Sequence, residues 1–189
     1  MILGDGMIGQ MMEPVEFPEA VDIEDLPEKK WATDGAEGRK RNIINSLYLD
    51  NDELESLNWK LKGKYEQMQK EDVKYETYNI EDAELMLIAY GTTARIALSA
   101  IDKARKNNIK VGMIRPITLF PFPENIISET SKNVEKILTL ELSTGQMIED
   151  VKLAVNGKRK VDFQGWPGGN IPTPDDIYQE IVKLTEMEG

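Results

Sequence analysis

The sequence predicts an α/β fold, namely a three-layer α/β/α sandwich with a mostly parallel sheet. The first observation is the order of segments over residues 85–114, where an apolar run, a glycine turn, an amphipathic stretch and a second apolar run follow one another. Two strands joined by one helix form a right-handed parallel crossover. The second observation is that two further predicted strands, at residues 136–142 and 158–163, alternate with helical patterns. Strands that are apolar throughout are expected to be covered by helices on both faces.

The first long helix is predicted from its cap and its apolar spacing. Asn51 is expected to cap a helix with one buried stripe and one solvated face, and Gly63 could break this helix. The apolar positions recur every three or four residues and are Leu54, Leu57, Leu61, Tyr65 and Met68.

The later helices are predicted in the same way. The crossover helix is expected to start with Thr92 or Thr93 as its cap and to end at Asn107. Pro123 is expected at the first position of a short helix that ends at Ser131.

Two more helices complete the predicted sandwich. One spans residues 146–155 and should end at the Asn156-Gly157 pair, since both residue types accept left-handed backbone. The last helix should have Thr173 as its cap and Pro174 at its first position.

Composition limits the chemistry that this chain can perform. The 189 residues carry a net charge of -11 and include no cysteine and no histidine. The chain therefore cannot hold an iron–sulfur cluster through thiolates, build a His/Cys zinc site or use a histidine base. The negative charge disfavours binding to nucleic acid and to anionic membranes. With no long apolar span in the sequence, we expect a cytoplasmic protein with no membrane contact.

The chain is expected to divide into three parts. Residues 1–17 start with apolar side chains and read as a strand inside a domain, so we expect that Met1 does not begin a natural domain. Residues 18–80 are rich in proline and acidic residues and read as a linker that carries the one long helix. Residues 81–189 hold the predicted sandwich.

A glycine–aspartate–glycine segment lies near the start of the chain. Gly4-Asp5-Gly6 matches the opening of the magnesium–diphosphate motif of thiamine enzymes, in which the Asp and an Asn about one helix later ligate the metal. The first asparagine here is Asn42, which is too distant for that role. We therefore interpret the segment as a turn at the end of a strand.

The candidate cofactor-binding residues are Gly91, Thr92 and Thr93. They lie between a strand and a helix N-terminus, where free backbone N–H groups favour an anion. The segment lacks the G-x-G-x-x-G spacing of dinucleotide sites, and helix capping explains the same residues more simply. Both interpretations stay open from the sequence.

A candidate interface lies at the carboxyl ends of the predicted strands. Arg115 could pair with a carboxylate of another chain, and the loop after it could either form a dry contact or fold onto its own sheet. Glu141 has no histidine or second acid beside it, so an interface or structural role is favoured over acid–base catalysis. Ser143 or Thr144 is expected to cap the next helix. The candidate interface residues are Arg115, Phe120, Phe122, Glu141 and Gln146.

Several segments together resemble one known family. They read DGMIGQMMEPVEFPE, WATDGAEGRKRNIINSLYL, AYGTTARIALSAI, VGMIRPITLFPFP and ELSTGQMIEDV. These segments resemble the alpha-type subunit of 2-oxoacid:ferredoxin oxidoreductases, with the 2-ketoisovalerate (branched-chain) enzymes as the nearest branch. The resemblance covers residues 3–181, and the loop RPITLFPFP with the helix start GQMIEDV is its most specific part.

The resemblance implies a thiamine diphosphate enzyme that decarboxylates a 2-oxoacid, passes electrons to ferredoxin and forms an acyl-CoA. Residues 1–17 would be the end of a truncated pyrimidine-binding domain, and residues 81–189 would be a domain similar to the transketolase C-terminal domain. This chain would hold no cofactor itself. Thiamine diphosphate, magnesium, iron–sulfur clusters and CoA would belong to the intact complex, whose diphosphate-binding and gamma-type subunits would be the partners, with ferredoxin reached through them.

Two features depart from that family. The family's substrate-binding Y-P-I-T-P motif belongs near the N-terminus of the full subunit, and this chain has no such segment. Pro116-Ile117-Thr118 is not that motif, because it lies in the second domain. The QGWPGG loop that starts at Gln164 lacks the tyrosine or arginine expected near its glycines. The chain alone is therefore expected to be inactive. Two alternatives stay open, namely a freestanding nucleotide- or CoA-binding module and a purely structural interaction domain.

Overall fold

A computed structural model describes residues 1–186, and its central element is a five-stranded sheet. The strands are β1 Tyr75–Tyr78, β2 Leu85–Ala89, β3 Val111–Pro116, β4 Lys136–Glu141 and β5 Val161–Gly165. Their order across the sheet is β1-β3-β2-β4-β5, with β1 antiparallel to β3 and the other neighbours parallel. The predicted α/β class with a mostly parallel sheet is confirmed.

Helices cover both faces of the sheet. The helices are α1 Asn51–Glu71, α2 Gly91–Lys106, α3 Glu124–Thr130, α4 Met147–Val155 and α5 Pro174–Glu186. Because side chains alternate along a strand, Leu85 and Leu87 of β2 pack with α2 and α5, whereas Met86 and Ile88 pack with α3 and α4. These two apolar clusters form the core on either side of β2, and the three-layer arrangement follows from them.

The edges of the sheet differ from the prediction. Strand β1 was not predicted, and it lies within the segment that the sequence analysis assigned to a linker. The last strand starts at Val161 rather than at residue 158, because the Arg159 guanidinium donates to the Val134 carbonyl at 2.8 Å and holds the preceding loop.

The start of α1 corrects the predicted cap. The Asp50 carboxylate, not Asn51, accepts the backbone N–H groups of Asp52 and Glu53, both at 3.0 Å. The helix also continues through Gly63 without a break. No residue of α1 is buried, so the predicted buried stripe is at most half-buried.

The other helix ends follow the prediction in part. Asn107 ends α2, and Asn156 ends α4 with left-handed backbone at φ 50°. Thr173 caps α5, because its hydroxyl accepts the Asp176 backbone N–H at 3.2 Å. Pro123, however, lies just before α3 rather than at its first helical position.

The predicted buried strand at the start of the chain is wrong. Residues 1–5 have no regular structure, and Ile2 and Leu3 are exposed. The chain divides into two compact units, one made of Met1–Met11 with the residues from Lys64 onward and the other of Met12–Gly63. The three predicted domain boundaries stay a prediction. Within residues 1–186, no helix combines the length and apolar character that a bilayer span requires.

Candidate functional site

The carboxyl ends of β2 and β4 form the place where an open α/β sheet can bind a ligand. The two strands are neighbours in the sheet, and the helices that follow them, α2 and α4, lie on opposite faces. In open α/β sheets, ligands bind at the carboxyl edge where the connections change direction in this way, and this edge of β2 and β4 is termed the crevice here. The residues that border it are the Gly91 turn before α2 and the Glu141–Gln146 segment before α4, both of which contain predicted site residues.

Glu141 is the central polar residue on the β4 side. Its side chain is only 1% exposed, and its carboxylate accepts three backbone N–H groups at the start of α4. The donors are Gln146 at 3.2 Å, Met147 at 3.0 Å and Ile148 at 3.0 Å. The Ser143 hydroxyl donates a fourth bond at 2.9 Å. A negative charge at a helix N-terminus is favourable, so Glu141 acts as the cap of α4.

This cap corrects the prediction that Ser143 or Thr144 caps α4. The Ser143 hydroxyl instead accepts a hydrogen bond from the Gly145 backbone N–H at 3.2 Å and donates one to the Glu141 carboxylate. Thr144 is exposed. The interface role predicted for Glu141 stays untested, although its buried carboxylate offers no exposed surface.

The buried charge of Glu141 affects neighbouring acids. Burial raises the pKa of Tyr90 above its usual range, and the negative charge of Glu141 raises it further. Burial likewise raises the pKa of Asp150, with added repulsion from Glu141 and Glu149. Both shifts keep these side chains in their neutral forms over a wider pH range, which limits the negative charge around the crevice.

The Gly91 turn has a different partner. Neither Thr92 nor Thr93 caps α2, because both lie inside its first turn and the residue before the helix is Tyr90. The Thr92 hydroxyl donates instead to the Asp5 carboxylate at 2.5 Å. Gly91 has φ 57°, a left-handed conformation that glycine adopts without strain. The predicted capping role of the two threonines is therefore wrong, and their cofactor role stays a prediction.

Asp5 thus has two internal partners. Its other carboxylate oxygen accepts the Met7 backbone N–H at 3.0 Å, which closes a turn at Gly6 and Met7. Both hydrogen bonds hold the pKa of Asp5 below its usual range, and the bond from the Thr92 hydroxyl has the larger effect. Among residues 1–186, no group of three or more acidic side chains is arranged to hold a metal ion. Gly6 and Met7 form a turn, as predicted, but no strand precedes it, because residues 1–5 have no regular structure.

The loop after β3 separates the predicted interface residues. The Arg115 guanidinium pairs with Glu76 of β1 at 2.8 Å, so its carboxylate partner lies in its own sheet. Phe120 is exposed and meets Tyr65 edge to face, with ring centroids 5.7 Å apart. Phe122 packs partly against the core cluster below α3 and α4. One aromatic ring of this loop therefore folds inward and the other is exposed, and the predicted interface role of these residues stays a prediction.

Close backbone approach explains one glycine of the QGWPGG segment. A Cβ on Gly165 would overlap the Ser143 carbonyl oxygen and would lie 2.6 Å from the Phe163 ring. The end of β5 can therefore lie directly against the loop before α4. Gly168 and Gly169 have open space around them and adopt positive φ values of 75° and 85°.

Comparisons with known proteins identify the family. Residues 83–177 match the family model described as pyruvate:ferredoxin oxidoreductase core domain II, which is half of the chain. The chain belongs to this family. The matched residues start just before β2 and end in α5, so the matched range contains the Gly91 turn, the Glu141–Gln146 segment and all four parallel strands.

Individual relatives agree with that assignment. The ketoisovalerate oxidoreductase subunit VorB of Methanothermobacter marburgensis is 44% identical over 183 residues, which are 97% of this chain and 51% of the relative. The 2-oxoglutarate synthase subunit KorA of the same organism is 33% identical over 55% of this chain and 28% of its own length. This member of the core domain II family therefore spans about half the length of the VorB subunit it matches.

A solved structure supports the fold. A chain of the 2-oxoglutarate:ferredoxin oxidoreductase from Magnetococcus marinus, with 2-oxoglutarate, coenzyme A and succinyl-CoA bound, superposes with a TM-score of 0.65. The match has 17% sequence identity and covers 80% of this chain and 28% of that one. The shared arrangement of strands and helices places this core domain II in the same fold as that enzyme.

Proposed function

We propose that this chain is the core domain II part of an alpha-type subunit in a 2-ketoisovalerate:ferredoxin oxidoreductase. The observation that carries the proposal is the 44% identity to a ketoisovalerate oxidoreductase subunit over 97% of the chain. By comparison, the identities to 2-oxoglutarate synthase subunits are lower, at 25–33% over 55–80% of the chain. The higher identity, which extends over nearly the whole chain, favours the branched-chain enzyme over its 2-oxoglutarate counterpart.

Within that enzyme the chain acts as a scaffold rather than as the catalytic centre. The carboxylates at its sheet edge have internal partners, since Glu141 binds α4 and Asp5 binds Thr92. Neither is free to act as an acid or base toward a substrate. The residues that carry the chemistry are expected on other parts of the complex.

The cofactors of the reaction would then be held outside this chain. A chain without cysteine and histidine offers no thiolate for an iron–sulfur cluster and no imidazole base. Thiamine diphosphate, magnesium, the clusters and CoA are assigned to the assembled complex. The partners would be the diphosphate-binding and gamma-type subunits, with ferredoxin as the electron acceptor.

A replacement experiment tests the proposal. This chain is exchanged for the matching half of the VorB subunit in the Methanothermobacter marburgensis complex. The hybrid is then assayed with 2-ketoisovalerate, CoA, thiamine diphosphate, magnesium and a redox dye. We expect assembly and turnover of 2-ketoisovalerate in preference to 2-oxoglutarate, and no turnover by this chain alone. A hybrid that does not assemble, or turnover by the isolated chain, would contradict the proposal.

A second candidate function concerns the Gly91 turn. The Asp5 carboxylate on the Thr92 hydroxyl indicates that an anionic oxygen fits beside the start of α2. A phosphate of CoA or ATP could compete for this position. Calorimetric titration of the chain with CoA and with ATP tests this, and the Asp5→Asn variant should bind more tightly if the phosphate displaces Asp5. If injection of CoA or ATP into the chain gives the same heat as injection into buffer, the turn has no role in binding these ligands.

A further inference from the structure

A short segment of the second unit exposes almost all of its apolar side chains. Residues 15–26, named the acidic strap here, read VEFPEAVDIEDL. Phe17 is 92% exposed, Ile23 86% and Val15 73%, and Val21 and Leu26 are exposed as well. Single exposed apolar residues are ordinary on a protein surface, but five within twelve consecutive residues are a concentration that is typical of an interaction site.

The strap also concentrates negative charge. Five of its residues are acidic and none is basic, so it holds five of the eleven net negative charges of the chain. The acidic residues are Glu16, Glu19, Asp22, Glu24 and Asp25, and all of them are exposed. Apolar and acidic side chains therefore interleave along one extended segment.

This combination selects the kind of partner. Nucleic acid and anionic lipid would be repelled by the five carboxylates. A second copy of the chain carries the same net charge of -11 and the same acidic strap, so pairing of two copies is disfavoured. The complementary surface is an apolar groove on another polypeptide, with lysine or arginine side chains along its rim.

The backbone of the strap is extended on both sides of one short turn. The φ and ψ angles are -62° and 144° at Asp22 and -74° and 139° at Leu26, which are polyproline II values. Pro18 restricts the chain further. Between these points, Ile23–Asp25 forms a single 3-10 turn. An extended segment with restricted backbone loses less conformational entropy on docking than a flexible one, which favours recognition in a groove.

We propose that the acidic strap is the docking segment of this chain, and that it lies in a basic-rimmed apolar groove of a companion subunit of the oxidoreductase. This inference rests on the proposed function and names the surface through which assembly occurs. Phe17 and Ile23 are its apolar anchors, and the carboxylates set the orientation and the rate of association.

Hydroxyl-radical footprinting measures whether the strap is covered. The chain alone and the hybrid complex described above are oxidised under matched doses, and the modification rate of Phe17 is compared. We expect at least a fivefold slower rate in the complex. A rate that is unchanged in an assembled, active complex would overturn the strap proposal and leave the proposed function intact. A chain that does not assemble at all would overturn both.

Matched variants separate the apolar and charged contributions. The apolar variant F17S/I23S should weaken assembly at least tenfold, whereas L153S, at an exposed leucine of α4, should change it less than threefold. The charge variant E16Q/E19Q/D22N/E24Q should weaken association at least tenfold in 50 mM salt and remove most of its salt dependence. Its control is E81Q/E124Q/E129Q/E135Q, which removes as many exposed carboxylates from the other unit.

The strap contributes no buried residue to the core, so its variants are expected to fold as the unchanged chain does. Circular dichroism and thermal unfolding of the four variants should match those of the unchanged chain. If the strap variants fold and assemble as tightly as their controls, the strap does not dock.

Discussion

The carboxylate of Glu141 accepts the backbone N–H of Met147 at 3.0 Å, which joins the last residue of β4 to the first residue of α4. A helix cap usually comes from the residue just before the helix. Here it comes from six residues upstream, and the same carboxylate also bonds to Ile148 and Ser143. The loop between strand and helix is therefore closed over a buried charge, and one side of the crevice is held rigid.

Removing that charge should destabilise the domain strongly. In Glu141→Ala, the N–H groups at the start of α4 lose their buried acceptor, so we expect the free energy of unfolding to fall by about 3–5 kcal/mol. Glu141→Gln keeps one acceptor oxygen and should cost roughly 1–3 kcal/mol. Urea unfolding followed by circular dichroism measures both. The control is Glu149→Gln on the exposed face of α4. If Glu141→Ala lowers the free energy of unfolding no more than this control does, the capping role is contradicted.

The contact between Asp5 and Thr92 should appear in the titration of Asp5. Because the folded-state pKa of Asp5 is lowered, the contact is fully present above the ordinary pKa of an aspartate. It is lost as the pH falls through the lowered value. In Thr92→Val the hydroxyl donor is gone, and the Asp5 pKa should rise toward its ordinary value. Carboxyl 13C NMR measures the Asp5 titration in both proteins, and equal Asp5 midpoints would exclude the hydrogen bond.

The start of α5 gives a second acid-sensitive contact. The Asp176 carboxylate accepts hydrogen bonds from the Thr173 backbone N–H at 2.7 Å and from the Thr173 hydroxyl at 2.8 Å. Both bonds lower the Asp176 pKa, and the backbone bond has the larger effect. Because this pKa is lowered in the folded chain, the stabilisation of α5 by these bonds is present near neutral pH. It disappears as the pH falls through the lowered pKa. The protection factor of the amides in the first turn of α5, which is the intrinsic exchange rate divided by the observed rate, should fall with acidification. Asp176→Asn should show low protection at every pH, and a pH-independent protection factor in the unchanged chain would contradict this prediction.

The three central strands β2, β3 and β4 could be predicted because they are largely buried on both faces and read as mainly apolar runs, such as LMLIA for β2. Strand β1 gives no such signal. It has only four residues, and its half-buried positions are Glu76 and Tyr78. So short and polar a segment is typical of a linker. Its stability depends on partners that are distant in sequence, above all Arg115, which pairs with Glu76 across the antiparallel ladder.

The polar contacts of the crevice were predictable only in part. Glu141 stands directly after an apolar strand and before a Ser-Thr-Gly turn, a pattern that places a carboxylate near the following helix start. The choice between that helix and a partner chain depends on a loop geometry that the sequence does not specify. The bond from Thr92 to Asp5 spans 87 positions and carries no local signal at all. Local spacing predicts elements well, whereas pairings of this kind arise from the tertiary fold.

Two glycines with opposite surroundings test how tightly β1 and β3 pack. A Cβ on Gly112 of β3 would overlap the Asn79 carbonyl and lie 2.9 Å from the Ile80 Cα. Backbone atoms cannot move aside cheaply, so Gly112→Ala should lower the free energy of unfolding by roughly 3 kcal/mol. Gly63 of α1 has open space around it, and Gly63→Ala should raise helix stability by about 1 kcal/mol. Thermal unfolding of both variants measures this; equal effects would show that the β3 backbone is less closely packed.

The last prediction concerns a hydroxyl inside the sheet. Thr139 of β4 lies between Ile88 and Phe163, and its buried hydroxyl has no hydrogen-bond partner within residues 1–186. A buried polar group without a partner costs free energy, and valine has nearly the same shape. Thr139→Val should therefore raise the free energy of unfolding by about 1 kcal/mol, measured by urea unfolding. The matched variant Thr77→Val, on the exposed side of β1, should change it by less than about 0.5 kcal/mol. Destabilisation by Thr139→Val would mean that the hydroxyl bonds to a buried water or to a bound group, which would make this position part of a polar site.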